Sequence, residues 1–296
     1  MKYLNNLKTP LPCDWLEIAT TCRKDTVKEL AKLEKDLSDC YSLYDSYIKK
    51  FNTKPASSKL LGHKDLLISY YNEAPSNLNE KLINRRNNHE LYFCPYCGDP
   101  KTPDTLDHFM PKDLWPEFAF FPNNLIPQCR GCAPIKGSKY YCDINNISKF
   151  IHPIYFNSLD KIRFSIEVKF NTTDLKTDFL VKYNVIGKIS ISEKKRLVMH
   201  IKKLKINQRI NDFCIKEYNF WKNKLLLNKF DIEQALLQRI SEIPEKELAR
   251  DWKSALYEGM LKNEDLINYL KSLKSKRKKQ TVLNDFDSIT IDDFNE

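Results

Sequence analysis

Four cysteines near the middle of the 296-residue chain stand in two pairs whose spacing suits metal binding. Cys94 and Cys97 form one Cys-x-x-Cys pair, and Cys129 and Cys132 form a second pair after thirty-one intervening residues. Each pair bends the backbone so that two sulfur atoms face one point, and four thiolates can close a tetrahedron around Zn²⁺. The spacing therefore predicts a structural zinc site. Two buried cysteine pairs or a redox motif are the alternative.

The segment between the two pairs carries an acid, an imidazole and an amide. It reads LDHFMPK from Leu106 and FPNNLIP from Phe121. A histidine titrates near neutral pH and suits proton transfer, and a carboxylate is a ligand for divalent cations. An isolated Asp-His pair is more often a packed or surface pair than a catalytic one, so the flanking cysteine pairs decide its interpretation.

Taken together with the cysteine pairs, these motifs resemble the zinc-stapled HNH (His-Me finger) endonucleases over about fifty residues. The resemblance implies a ββα finger in which His108 is the general base and Asp107 ligates Mg²⁺ or Mn²⁺. The cation would polarise the scissile phosphate and stabilise the departing 3′ oxygen. The resemblance also implies that Asn124 orients the His108 ring and that Lys136 lies near the phosphate backbone.

Ala133 departs from the family pattern, because these nucleases usually place a second metal ligand directly after the last cysteine. A methyl group cannot coordinate a cation, so metal-assisted catalysis should be weakened. Two explanations stay open. The chain is either a natural variant that recruits another oxygen or nitrogen donor, or an engineered form from which the ligand was removed. The intact motif around Ala133 favours the engineered form.

Basic residues outnumber acidic ones, and some of them are concentrated in one segment. The chain has 49 Lys and Arg against 39 Asp and Glu, a formal net charge of +10 that favours a polyanionic partner. Seven like charges within sixteen residues repel one another, which favours a nucleic acid or acidic partner over a merely solvated helix face. DNA and RNA are not distinguished. The seven residues are Lys194, Lys195, Arg196, Lys202, Lys203, Lys205 and Arg209.

The elements that must position these residues are mostly helical. Apolar periodicity predicts helices before residue 90, among them a long helix from a capping box at Thr26 through Ile48, and helices again over residues 190–275. Strict alternation of apolar and polar residues from Ile162 to Val185 predicts a β-hairpin with one buried face.

We therefore predict a mainly α protein with a small ββα-metal nuclease core and a β-hairpin. Its predicted parts are a helical region at 1–90, a zinc-stapled HNH finger at 91–155, a hairpin and helical region for nucleic-acid or partner contact at 156–283, and an acidic flexible tail at 284–296.

The predicted activity is metal-dependent hydrolysis of phosphodiester bonds in DNA or RNA. The segment around His108 is also similar to the HNH subunits of Septu and retron anti-phage systems, which implies an ABC-type ATPase as partner and an effector role in antiviral defence. The alternative class is a non-catalytic zinc-stapled nucleic-acid-binding or adaptor protein, which Ala133 permits.

The expected compartment is the prokaryotic cytoplasm. Nine cysteines are an odd number that suits metal ligation in a reducing compartment better than a disulfide framework. No apolar run approaches the roughly 18 residues of a membrane-spanning helix, and no signal peptide is evident, so no membrane contact is expected.

Overall fold

A computed structural model of the chain describes residues 1–228 and 230–273, and about half of the chain is helical. The helices are α1 (Asp14–Thr20), α2 (Val27–Ala31), α3 (Glu34–Lys49), α4 (Lys64–Asn72), α5 (Ser76–Asn87), α6 (Ala133–Lys136), α7 (Ile191–Lys203), α8 (Ile206–Leu227), α9 (Ile232–Ser241), α10 (Trp252–Leu261) and α11 (Glu264–Ser272). The predicted acidic tail lies outside the described residues. Within the described part, no helix combines the length and apolar character needed to cross a bilayer.

Among the residues that the structure describes, three two-stranded antiparallel sheets lie between the helices. They pair β1 (Thr105–His108) with β2 (Leu125–Gln128), β3 (Tyr141–Cys142) with β4 (Ile147–Ser148), and β5 (Ile162–Phe170) with β6 (Thr177–Val185). In the first sheet Thr105 lies opposite Gln128 and His108 opposite Leu125. Because β2 leads directly into the second cysteine pair, this pairing carries those cysteines back toward the first pair.

The predicted hairpin is confirmed as β5 and β6. Its inward residues Ile162, Phe164, Ile166 and Val168 are buried, as strict alternation requires of a half-buried strand pair. Asn263, which follows α10, donates from Nδ2 to the Val168 carbonyl oxygen over 2.8 Å. The hairpin is thereby held against the C-terminal helices.

The long helix predicted from Thr26 to Ile48 is wrong in one respect, because two helices occupy that span. α2 ends at Ala31 and α3 begins at Glu34. Thr26 has φ −84° and ψ 7° rather than the extended backbone of a capping residue, and its hydroxyl contacts Tyr70 instead of a helix amide. A complete capping box occurs at the start of α7, between Ser190 and Glu193.

Apolar contacts join the N-terminal helical region (residues 1–90) to the segment between the cysteine pairs. The Tyr41 ring stacks on Phe121 with 4.2 Å between centroids, and Tyr44 meets Phe118 edge-on at 4.8 Å. All four rings are buried in a single hydrophobic cluster that also includes the hairpin and the C-terminal helices. The segment between the cysteine pairs therefore shares one hydrophobic core with the helices before it and with the hairpin and helices after it.

The approach of α10 to β5 yields a stability prediction. A Cβ atom at Gly259 would lie 2.0 Å from the carbonyl oxygen of Ile166, which is closer than packed atoms allow. We expect Gly259→Ala to lower the free energy of unfolding by about 2 kcal/mol or more, measured by urea denaturation. Gly62→Ala is the matched control, since nothing lies within 4 Å of a Cβ there. Equal stability of the two variants would contradict this close approach.

Candidate functional site

The four cysteines of the two pairs meet at one point in the interior. The Sγ atoms of Cys94, Cys97, Cys129 and Cys132 lie within 4.8 Å of one another, and those of Cys97 and Cys129 are 3.8 Å apart. Sulfur atoms placed about 2.3 Å from a tetrahedral Zn²⁺ are separated by about 3.8 Å. The predicted four-cysteine cluster is confirmed, and its donor set fits a structural zinc ion.

Backbone turns aim the sulfur atoms. In the first pair the amide of Gly98 donates to the Cys94 carbonyl over 2.8 Å, and the amide of Cys94 donates to the Asp99 carbonyl over 2.9 Å. Gly98 has φ +79°, a left-handed conformation that glycine adopts without steric cost. In the second pair the Cys132 amide donates to the Cys129 carbonyl over 3.0 Å.

Arg209 of α8 places its guanidinium against the cysteine cluster. Its Nη1 lies 3.2 Å from Cys132 Sγ, and its Nη2 lies 3.5 Å from Cys97 Sγ and 3.6 Å from Cys129 Sγ. Nη2 also forms an ion pair with Asp99 over 3.3 Å. Four thiolates around one Zn²⁺ carry a net charge of −2, so a guanidinium in contact with three of the sulfurs offsets part of it.

Two neighbouring residues make room for Arg209 and hold it in place. A Cβ atom at Gly131 would lie 2.5 Å from Arg209 Nη2, so a larger residue at this position would displace the guanidinium from where it lies. The Trp252 ring lies 5.2 Å from the Arg209 guanidinium carbon, and the Trp252 indole donates to the Cys97 carbonyl over 2.6 Å. Sequence reasoning counted Arg209 as a surface charge and gave Trp252 no role. The glycine between the second cysteines was the available signal.

Each oxygen of the Asp107 carboxylate has a side-chain partner. The Tyr96 hydroxyl donates to Asp107 Oδ2 over 2.7 Å, and the Lys136 ammonium lies 3.0 Å from Asp107 Oδ1. Tyr96 lies within the first cysteine pair and Lys136 follows the second, so the cysteine cluster brings both partners to Asp107. The Lys136 side chain is fully buried, which places it in the interior instead of near a phosphate backbone.

His108 ends β1 with its ring in a defined orientation. Its Nε2 lies 2.8 Å from the carbonyl oxygen of Ala119, and the Tyr71 ring meets it edge-on at 4.4 Å. A carbonyl can only accept a hydrogen bond, so Nε2 carries the proton and Nδ1 keeps a lone pair. Nδ1 has no hydrogen-bond partner among the described residues. Burial lowers the pKa of His108 to about 3, which keeps the ring neutral.

Asn124 is buried beside this histidine but does not contact its ring, so the role predicted for it is wrong. Its Oδ1 accepts from the Met110 amide at 2.7 Å and from the Tyr44 hydroxyl at 2.8 Å. Its Nδ2 donates to the carbonyls of Met110 and Phe118, each at 3.0 Å. These four bonds use the full capacity of the amide. Asn124 therefore fixes the backbone on both sides of the loop that carries the Ala119 carbonyl.

The structure separates the seven basic residues into an outward and an inward set. Arg209 contacts the cysteine cluster, and Arg196 is buried between the Phe51 and Phe156 rings, whose centroids lie 3.8 and 4.0 Å from its guanidinium carbon. Neither is placed as an exposed phosphate contact. The outward set is exposed and consists of Lys194, Lys195, Lys202, Lys203 and Lys205.

Comparisons with known proteins give one short match. The chain is 37% identical over 60 residues to protein ea31 of Escherichia phage lambda, and the match covers 20% of this chain and 20% of that protein. The match thus leaves about four fifths of either chain unaligned. No family model matches the sequence. No solved structure matches it.

The position of Arg209 yields a prediction for zinc retention. Arg209→Gln removes the positive charge that contacts three of the sulfur atoms. We therefore expect zinc affinity to fall by about 10-fold to 100-fold, as for other groups that contact metal ligands. Transfer of zinc to a chromogenic chelator measures this change. Lys216→Gln is the matched control, because Lys216 is an exposed residue of the same helix. Equal zinc retention in the two variants would show that Arg209 does not stabilise the cluster.

The environment of His108 yields a prediction for pH dependence. The unfolded chain protonates a histidine near pH 6.5, whereas the folded chain, with the His108 pKa at about 3, does not. The folded state therefore binds fewer protons, and His108 makes the free energy of unfolding fall as pH falls below about 6.5. We expect this fall between pH 7 and pH 4.5 to be shallower in His108→Gln, measured by urea denaturation at each pH. Parallel curves for the two proteins would contradict it.

Proposed function

We propose that the protein hydrolyses phosphodiester bonds in DNA or RNA, with His108 as the general base that takes a proton from the attacking water. The water oxygen bonds to phosphorus as the ester P–O bond breaks, and the departing oxygen takes a proton from the imidazolium or from solvent. The observation that carries the proposal is the orientation of the imidazole. Its Nε2 proton is committed to the Ala119 carbonyl, which leaves the Nδ1 lone pair as the only proton acceptor of the ring. The order of β1, β2 and the one-turn helix α6 beside a cysteine cluster agrees with the resemblance to zinc-stapled HNH nucleases.

The charge environment of His108 links proton transfer to substrate binding. The ring is neutral in the free protein because burial lowers its pKa, and the nearby Lys112 and Lys136 ammonium groups act in the same direction. A phosphodiester brought close to the ring would add negative charge and raise this pKa. The imidazole would then accept a proton more readily with substrate present than without it.

The Mg²⁺ or Mn²⁺ that the resemblance implies does not fit the residues that would hold it. One Asp107 oxygen accepts from Tyr96 and the other pairs with the Lys136 ammonium. The next expected ligand position is Ala133, whose methyl group offers no donor. We therefore assign no step of the reaction to a bound cation, and Asp107 serves as the anchor of Tyr96 and Lys136.

The exposed lysines of α7 and the turn after it supply a surface for the substrate. Five of them lie within twelve residues, from Lys194 to Lys205, and the capping box at Ser190 fixes the start of that helix. Exposed lysines close together in the chain attract a polyanion through phosphate neutralisation, which is independent of sequence and weakens with salt. This surface suits either DNA or RNA.

A non-catalytic zinc-stapled adaptor is the second candidate function. The pairing of Asp107 with Lys136 and the methyl group of Ala133 favour it, because both remove groups that a cation-dependent nuclease would use. Such a protein would keep the exposed lysines for nucleic acid but would release no product. The ABC-type ATPase partner and the role in anti-phage defence stay predictions that rest on the resemblance, and co-elution with a candidate ATPase tests the partner.

Cleavage of labelled single- and double-stranded DNA and RNA tests the proposal. We expect slow cleavage by the zinc-loaded wild-type protein and a loss of about 100-fold or more in His108→Ala, the usual contribution of a general base. His63→Ala is the matched control, because His63 is an exposed histidine of the N-terminal helical region. The assays run with added Mg²⁺, with added Mn²⁺ and with neither.

Undiminished cleavage by His108→Ala would exclude the general-base role. Binding without cleavage in the wild-type protein under all three conditions would favour the adaptor. Mg²⁺-dependent cleavage that appears only in Ala133→Asn would show that the missing ligand at position 133 is the reason the wild-type protein does not cleave.

A further inference from the structure

The Lys136 ammonium occupies a closed site made of oxygen atoms. Its Nζ lies 3.0 Å from Asp107 Oδ1, 3.0 Å from the His108 carbonyl oxygen and 3.2 Å from the Phe109 carbonyl oxygen. An ammonium has three N–H donors, and these three oxygens match them. The Phe109 and Phe150 rings lie 5.6 and 5.7 Å from Nζ and exclude water from the site.

A carboxylate and two carbonyl groups are also the oxygen donors that a hard divalent cation takes in proteins. The Asp107 side chain is only 9% exposed, and each of its carboxylate oxygens already has a side-chain partner, Lys136 on one and Tyr96 on the other. A divalent cation at Asp107 would stand beside a buried ammonium, and like charges repel strongly where solvent is excluded. The cation would have to displace Lys136, whose charge would then lose all three partners.

We propose that the Lys136 ammonium is the resident cation of Asp107, and that the folded protein binds no Mg²⁺ or Mn²⁺ there. Lys136 is thus a positioning residue: it fixes the carboxylate of Asp107 and the backbone carbonyls of His108 and Phe109 in one arrangement. The inference deepens the proposed function, since it names the charge beside the general base. Its test measures cation binding instead of cleavage, so either idea can fail without the other.

Mn²⁺ binding to the full zinc-loaded chain, followed by electron paramagnetic resonance, tests the proposal. We expect the same Mn²⁺ binding, or none, in the wild-type protein and in Asp107→Asn. We expect Lys136→Met combined with Ala133→Asn to gain a site at least 10-fold tighter, because the carboxylate is then unpaired and a second oxygen donor is present. Adding Asp107→Asn to that pair should abolish the gain. Lys139→Met with Ala133→Asn is the matched control, since Lys139 is exposed.

Two results would overturn the proposal. One is Mn²⁺ binding by the wild-type protein that Asp107→Asn removes. The other is a folded Lys136→Met, Ala133→Asn variant, with zinc retained and cooperative unfolding, that gains no site dependent on Asp107.

A measurement on the wild-type protein alone covers the case in which the variants fail to fold. Bound Mn²⁺ broadens nearby amide signals in nuclear magnetic resonance spectra. Selective broadening of Asp107 and His108 at low Mn²⁺ would overturn the proposal, and unchanged signals there would support it.

Discussion

The repulsion among four thiolates brought within a few ångströms is the constraint on which the rest of the structure depends. A tetrahedral Zn²⁺ would relieve most of that repulsion, and the Arg209 guanidinium, which contacts three of the sulfur atoms, would relieve part of what is left. Arg209 belongs to α8, and Trp252 of α10 binds the carbonyl of Cys97. The cysteine cluster is therefore where the C-terminal helices meet residues 94–132, and metal binding there would be coupled to their association.

Desolvation has a different effect on each buried polar group beside the cluster, according to its partners. Asp107 and Lys136 neutralise each other, whereas the neutral forms of His108 and His152 are favoured because burial lowers the pKa of each. The Tyr44 hydroxyl contacts both His152 Nε2 and Asn124 Oδ1, so one buried network holds the loop that orients His108. The hydrogen-bonded network is consequently uncharged, whereas two ion pairs, Asp107 with Lys136 and Arg209 with Asp99, lie elsewhere in the site.

Local sequence patterns were enough to predict some of these features and not others. The cysteine spacing predicted the cluster and strict alternation predicted the hairpin, because both signals depend only on neighbouring residues. The partners of Asn124 and Lys136 depend on which backbone carbonyls the tertiary fold brings near, and spacing does not encode that. The helix predicted through Lys32 is interrupted there, and at its start the Thr26 side chain contacts Tyr70 instead of capping the first turn.

The run of basic residues illustrates why charge patterns in sequence are ambiguous. Arg196 and Arg209 have planar guanidinium groups that stack on rings or contact several acceptors at once, so both can be buried with suitable partners. The lysines of the same run carry compact, strongly hydrated ammonium groups and stay in solvent. Lys136 is the exception because three oxygens replace its water. Salt in solution screens the exposed lysines, and it barely reaches the buried cations. Any contact of these lysines with a polyanion should thus depend on ionic strength, while the internal arrangement of the cysteine cluster and of Asp107 should not.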